Sequence, residues 1–598
     1  MDRRHVPAFL LSLVLSQASA QNITSVAGNS TWVDVQNVTL DAEGNIYVPD
    51  AGRHVVYKTD RLGSTTNVAG TGTAGYSGDG ALATGAQLRT PAGVAVARDG
   101  TLYITEYGNH RIRRVAPNGI ITTFAGTGVA GFTGDGGPAS AARMFAPLSV
   151  LLDADGNLIF VDIGNFRIRR INTTTGVITT IAGSGRCPVL SGDGGPATAA
   201  DSCPGWLALG PDGSLYFTDD GDLRFFGFSR IRRVAPNGVI STVAGTGVVG
   251  YSGDGGQATQ AQLRGASGVA VDATGNLYIS DGLNARIRKV DRNGIINTFA
   301  GTGVAGSTGD GGPAVRAQVN VPAGMTFDAE GNLFVADRNN RKIRKISPPP
   351  LPAISATDTA IPSFLGKSAF GSNMYIEIYG TNLSTTTRTW AGGDFNGPNA
   401  PTSLDGVSVT VNNRPAFVYF ISPTQININT PEDTATGPVN IQVRNALGFS
   451  NTGIGTRARL SPTLQSVPQF LVGGKQYVVA QTPDFRSFIG SPNLIAGLSF
   501  TAPKPGDTVL IFALGCGTTN PPTQAGVAAS QNSALAAPFE VRIGGVTARV
   551  SFGGVVAGSI GLYQFNVEIP SVGPGDHLIE LIVDGVPNQQ NLMITVGQ

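Results

Sequence analysis

The chain has 598 residues, enough for several domains, with 82 glycines and only 14% charged residues. Its formal net charge of +1 gives no sign of a nucleic-acid partner or a membrane surface. Residues 1–20 read as a secretory signal peptide: Arg3 and Arg4 form the basic end, residues 6–14 the apolar core, and Ala18-Ser19-Ala20 the cleavage site. The core is too short to span a bilayer, and no later segment is apolar enough to do so. The expectation is an extracytoplasmic chain (periplasm, cell surface or extracellular) that begins near Gln21 and has no transmembrane anchor.

From there a strand signature recurs six times: GNIYVPD from Gly44, GTLYITE from Gly100, GNLIFVD from Gly156, GSLYFTD from Gly213, GNLYISD from Gly275 and GNLFVAD from Gly331. The glycines are 56, 56, 57, 62 and 56 residues apart. Within one unit, residues 266–301, four short strands are separated by Asp/Gly and Asn-Gly turns. Four strands at a fixed period predict a β-propeller, here with six blades. The third strand also recurs, as RIRRV from Arg111, RIRRI from Arg167, RIRRV from Arg230, RIRKV from Arg286 and KIRKI from Lys342. Its apolar residues are three apart, which suits a strand packed on both faces. The sixth unit lacks its fourth strand, while residues 23–28 look like residues 121–126. The N-terminal stretch is therefore expected to close the ring.

These units resemble the NHL-repeat family, whose pattern D-x-x-N-x-R appears at Asp162, Asn165 and Arg167 and again at Asp281, Asn284 and Arg286. The first copy departs, with Arg53 and Val55 where Asn and Arg are expected. The likeness spans residues 21–347 and implies a six-bladed propeller.

Between units lies a second repeated element containing Asp79, Asp135, Asp193, Asp254 and Asp310, each flanked by glycine and followed by an Ala-containing stretch. A short helical turn capped by the Asp is expected; calcium is the alternative, although one Asp per loop supplies few ligands. Gly70-Thr-Gly72-Thr-Ala-Gly75 matches a dinucleotide fingerprint, but no full-length helix is expected to follow, so that reading is rejected. Cys187 and Cys203, 16 apart, are expected to form a disulfide, leaving Cys516 as a buried apolar residue.

The fourth unit is unusual. Its loop between second and third strands is expanded and holds Asp219, Asp220, Asp222, Phe225, Phe226 and Phe228, and Trp206 opens its inner strand. The two kinds of connection that open on this face bring the Cys187–Cys203 loop beside it. These residues form the candidate partner-binding site, against the alternative of an insertion packing on itself.

Residues 348–355 read as a Pro-rich linker. Beyond it the period ends, and two β units echo each other: Val409 to Phe420 with Gln425, Asn427 and Pro431, then Val541 to Phe552 with Gln564, Asn566 and Pro570. They predict two immunoglobulin-like sandwiches, residues 356–455 and 456–598. The pattern GGVTARVSFGGVVAGSIGLYQFNVEIP resembles an uncharacterised C-terminal domain family abundant in secreted acidobacterial proteins, which implies lineage and secretion but no chemistry.

The fold class is thus all-β, a six-bladed NHL-type propeller followed by two immunoglobulin-like units. Of four histidines, His5 leaves with the signal peptide, His54 and His110 lie in the propeller, and His577 lies in the last unit. A three-His zinc site within the propeller is excluded, and H-E-x-x-H and G-x-S-x-G are absent. No catalytic, cofactor or metal residue is assigned. The expected function is a secreted, monomeric, non-catalytic scaffold for a protein or glycan, not a nucleic acid. The alternative is a metal-dependent lyase or hydrolase at the channel mouth.

Overall fold

The computed structural model describes residues 21–28, 31–187, 191–219, 229–355 and 369–598. One compact unit ends at Pro349, and a second runs from Pro350 to Gln598. Among the described residues every helix is a three-residue 3-10 turn, and all other regular structure is strand.

The first unit contains six four-stranded antiparallel sheets. In five of them the four strands follow one another in sequence, as in Pro91–Val96, Leu102–Glu106, Arg111–Val115 and Ile121–Ala125. The turns that the glycines and Asp residues announced hold these meanders: Asn45, Asn157, Asn276 and Asn332 each donate a backbone N–H to the Asp four residues earlier, at 2.7–2.9 Å. The sixth sheet takes its outer strand from the other end of the chain. Asn22–Gly28 pairs antiparallel with Lys342–Ser347, Asn22 facing Ser347 and Gly28 facing Lys342. Each inner strand neighbours the next, and Pro322–Phe327 returns to Thr39–Leu40, so the sheets form a ring.

Adjacent sheets are tied as well as packed. Thr105 Oγ1 donates to the Leu148 carbonyl at 2.6 Å and Ser280 Oγ to the Ala323 carbonyl at 2.6 Å. A Cβ at Gly268 would collide with that same Ala323 carbonyl, which explains a glycine in mid-strand. The third strands are buried on both faces. In Arg111–Val115, residues Ile112, Arg113 and Val115 are inside and only Arg114 is exposed. The hydrophobic clusters lie between neighbouring sheets, such as Ile112 with Phe160 and Val150.

The second unit begins as the Pro-rich stretch ends, with Ala353–Ile354 paired to Tyr375–Thr381. Its first sandwich opposes the sheet of Tyr375–Thr381, Gln425–Asn429 and Phe417–Ile421 to the sheet of Gly453–Arg457, Gly437–Asn445 and Val407–Val411. Val407–Val411 alternates buried and half-buried residues, as a strand with one core face requires. The second sandwich repeats the plan with Thr508–Leu514, Tyr563–Glu568 and Val550–Val555 against Phe539–Ile543, Gly575–Val583 and Leu592–Val596. Each has its own core, the first around Ile376, Val409 and Ile441, the second around Ile511, Val541 and Leu581. Cys516 is fully buried in the second core.

Candidate functional site

The loops between second and third strands, together with the connections from each outer strand to the next inner strand, form one face of the propeller. That face begins with a charge framework the sequence did not announce. Asp162 closes a second strand and is fully buried, as is Arg169 on the third strand beside it. Arg169 Nη1 lies 3.3 Å from Asp162, and Nη2 lies 2.7 Å from Asp135, which comes from the connection entering this sheet. Arg113, Arg232, Arg288 and Arg344 repeat the bridge, each between a buried acid of its own sheet and the Asp of the incoming loop.

This corrects the capping role expected for the glycine-flanked Asp residues. The turns that follow have Leu82, Pro138, Pro196, Gln257 and Pro313 at their N-caps, with no side-chain cap bond. Asp135 instead accepts from Arg169 and, through its other oxygen, from Thr180 Oγ1 at 2.6 Å. A buried guanidinium needs an anion more than a three-residue turn needs a cap. Burial raises the inner acids: Asp162 is pushed up to about 6, against the hydrogen bonds of Asn165 and Phe145 and the charge of Arg169. In the outer acids Asp79, Asp254 and Asp310 burial is outweighed, by Thr123, Thr298 and Ser25 respectively and by the paired arginine, and their carboxyls stay below the usual range.

Asp219 belongs to this framework. It is fully buried, accepts the Cys203 backbone N–H at 2.6 Å and pairs with Arg232 at 2.9 Å, so it offers no surface to a partner. Asp220, Asp222, Phe225, Phe226 and Phe228 lie outside the described residues. Cys187 and Cys203 form a disulfide with their Cα atoms 4.9 Å apart, bracing the connection into the fourth sheet. Trp206 is half-buried and lines the channel along the ring axis rather than the loop rim. In the neighbouring inner strands the same register holds Ser149, Gly268 and Gly324.

That channel encloses about 200 Å³. Asn37, Thr39, Ser149 and Thr326 are its polar lining, Trp206 and Phe327 its aromatic lining, and the remainder is Met325, glycine and aliphatic residues. No ionisable side chain lines it among the described residues.

Above the channel, the loops bring the two propeller histidines beside Phe145 and Arg89, which the sequence reading passed over. His54 and His110 occupy equivalent left-handed positions, φ 58° and 53°. Their Nδ1 atoms accept the backbone N–H of Thr90 at 3.2 Å and of Ala146 at 3.1 Å, each in the next inner connection. Burial, with Arg89 and Arg111 nearby, lowers the pKa of His110. Phe145, 42% exposed, meets the His110 ring edge-on at 5.4 Å and lies over Gly164. Arg89 lies over Gly108 in the same way. No motif marks Phe145; only its register, equivalent to Arg89 and Arg264, locates it. Among the described residues no group of three or more His, Cys, Asp or Glu is placed to hold a metal ion.

The Teneurin NHL domain family matches residues 21–133 and 249–308, and the IPT/TIG domain family matches residues 366–456. Protein SUPPRESSOR OF QUENCHING 1, chloroplastic, of Arabidopsis thaliana is 28% identical over 273 residues, 44% of this chain and 25% of that protein. Teneurin-1 of Mus musculus is 27% identical over 282 residues, 42% of this chain and 10% of its own length. Teneurin-3 of Danio rerio is 34% identical over 176 residues, 28% of this chain and 6% of its own. The chain thus spans a quarter or less of these relatives. Among solved structures, a Bacteroides thetaiotaomicron protein of unknown function aligns at TM-score 0.41 and 20% identity, over 55% of this chain and 76% of that one. A gluconolactonase of Xanthomonas campestris aligns at TM-score 0.36 and 15% identity, over 55% and 91%.

Proposed function

We propose that the protein is a non-catalytic binding scaffold, with the loop face of the propeller engaging a protein or carbohydrate and the sandwiches acting as spacer modules. The observation that carries this reading is the contrast between channel and loop face. Among the described residues the channel lining holds no acid, base or thiol of the kind that drives proton transfer or a covalent step. The face above it presents exposed Phe145 beside His110 and a disulfide-braced connection at the fourth sheet. Aromatic side chains on loops held by a rigid framework are what contact surfaces require. The expanded loop at residues 220–229 belongs to the same proposed surface.

Placement outside the cytoplasm is part of the reading, supported by the disulfide. Among the described residues no helix is long and apolar enough to cross a membrane. Membership of the last 240 or so residues in the acidobacterial C-terminal domain family belongs here too, on the sequence pattern that carries it.

The test is capture of a partner from envelope and culture fractions by the full chain. It is compared with Phe145→Ser, with a shortened 220–229 loop, and with Leu62→Ser on the opposite face. Loss in the first two and retention in the third supports the scaffold. Metal-dependent turnover abolished by His54→Ala or His110→Ala would overturn it.

A further inference from the structure

The charge of the propeller is unevenly placed. At each of the five bridged junctions two acids face two cations: Asp79 and Glu106, for example, face Arg111 and Arg113, whose guanidiniums share the Tyr76 ring at 3.9 and 5.0 Å. These junctions are therefore close to neutral. Among the described residues, what remains on the loop face is mostly cationic, set against Asp201, which accepts from Ser184 Oγ. Arg53, Arg89, Arg143, Arg264 and Arg341 are all exposed, and none has a carboxylate partner among the described residues. Their backbone fixes them there. Arg89 and Arg264 donate N–H bonds to the buried acids Glu106 and Asp281, at 3.0 and 2.7 Å, while the Arg143 carbonyl accepts from Arg169 at 2.8 Å. Arg53 and Arg341 sit in the second-to-third-strand loops of the first and sixth sheets.

The opposite face carries acids at its turns, where Asp99, Asp153, Asp212, Asp272 and Asp328 each accept backbone N–H bonds, but it is mixed in charge: Arg170 and Arg233 pair with Asp153 and Asp212, and Arg98 and Arg292 stand among the same turns. The loop face also concentrates exposed apolar side chains: Val129 at 52%, Phe145 at 42%, Val248 at 58%, Leu283 at 42% and Val304 at 58% exposure.

We infer that the loop face docks an acidic protein surface carrying its own apolar side chains. This rests on the scaffold reading above and narrows its partner. Unpaired arginines supply charge complementarity, steering and bidentate contacts to carboxylates. The interleaved valines, Leu283 and Phe145 favour protein over polysaccharide, because Arg and aromatic residues with a desolvated apolar centre are the composition of protein interfaces. A polyuronate or a nucleic acid would satisfy the arginines and leave the apolar residues uncovered.

The experiment uses the full-length protein and three labelled probes: a synthetic Glu-Glu-Phe repeat peptide, polygalacturonate and single-stranded RNA. The expected result is preferential binding of the peptide, weakening as salt rises. The triple substitution Arg89→Gln, Arg143→Gln, Arg264→Gln is expected to weaken it by about tenfold or more. Phe145→Ser is expected to weaken it by several-fold, and Arg98→Gln with Arg292→Gln on the turn face to leave it unchanged. Melting curves confirm that the variants fold, and single substitutions replace the triple one if it does not. Preference for polygalacturonate or RNA through the same arginines would overturn the acidic-protein inference while leaving the scaffold standing. Peptide binding indifferent to the loop-face substitutions, or none at all, would overturn the inference. If, in addition, no captured partner depended on the loop face, the scaffold would fall too.

Discussion

Arg338 reaches from the sixth sheet to Asp34 at the entry of the first, Nε to Oδ1 2.7 Å, across the junction whose connecting sequence has no Gly-Asp-Gly element. There Tyr57 stands where the other third strands carry the buried arginine, stacked on Trp32 at 5.7 Å. The seam is thus held by three things: the Asn22–Gly28 strand, this ion pair and an aromatic stack. Both partners of the pair are about a quarter exposed, so Asp34→Ala is expected to cost only about 1 kcal/mol. Removal of residues 21–28 leaves Lys342–Ser347 as an open edge. A large fall in melting temperature or a strand-exchanged dimer is expected, read by calorimetry and light scattering. An unchanged monomer would show that this strand does not close the ring.

Arg288 is buried between Asp281, also fully buried, and Asp254, whose side chain is 37% exposed. Arg288→Met strands one carboxylate in the interior and is expected to destabilise the propeller by about 3–5 kcal/mol. Asp254→Ala removes the outer partner, which water can replace, and is expected to cost clearly less. Chemical denaturation of the two variants decides between this order and its reverse.

The Cys187–Cys203 disulfide closes a loop of 16 residues in separation. Replacing both by serine is expected to cost about 3 kcal/mol through the freed unfolded chain. Reductant should lower the melting temperature of the native protein and leave that of the double variant in place. Equal sensitivity would show that the bond does not brace the sheet.

His110 accepts the Ala146 N–H through Nδ1, which only the unprotonated nitrogen can do. Its pKa lies below the ordinary 6.5, through burial and then through Arg89 and Arg111. The folded state therefore binds this proton less readily than the unfolded chain. The stability it contributes is complete above about pH 6.5 and is lost as pH falls through the folded value. His110→Asn keeps a left-handed residue and an acceptor but no titration. Relative to that variant, the native protein is expected to lose stability on mild acidification, and its imidazole to titrate below the ordinary value by NMR. A midpoint at or above 6.5 would contradict the geometry.

The repeated strand signatures and the spacing of their turns were enough to read a ring of four-stranded sheets. Local hydrogen bonds such as Asn276 to Asp272 are written directly into sequence neighbours. The closing strand was legible because residues 23–28 copy the register of residues 121–126. The two sandwiches were legible because each alternates with period two.

The second arginine of each RIRR strand was not legible as a core residue. Charge normally marks a solvated face, and only the arrival of Asp79, Asp135 or Asp254 from the preceding loop, 34 positions earlier, makes burial affordable. For the same reason Asp219, which reads as part of an acidic loop, proves to be an interior ion-pair partner. Trp206 turns into the channel because the start of an inner strand faces the ring axis, a direction that exists only once the ring is closed. Sequence determined the elements, their order and their turns, since those depend on contacts a few residues apart. Which charges are neutralised and which stay free on the loop face was decided by the tertiary structure, because Arg113 and Asp79 meet only when successive sheets pack around one axis.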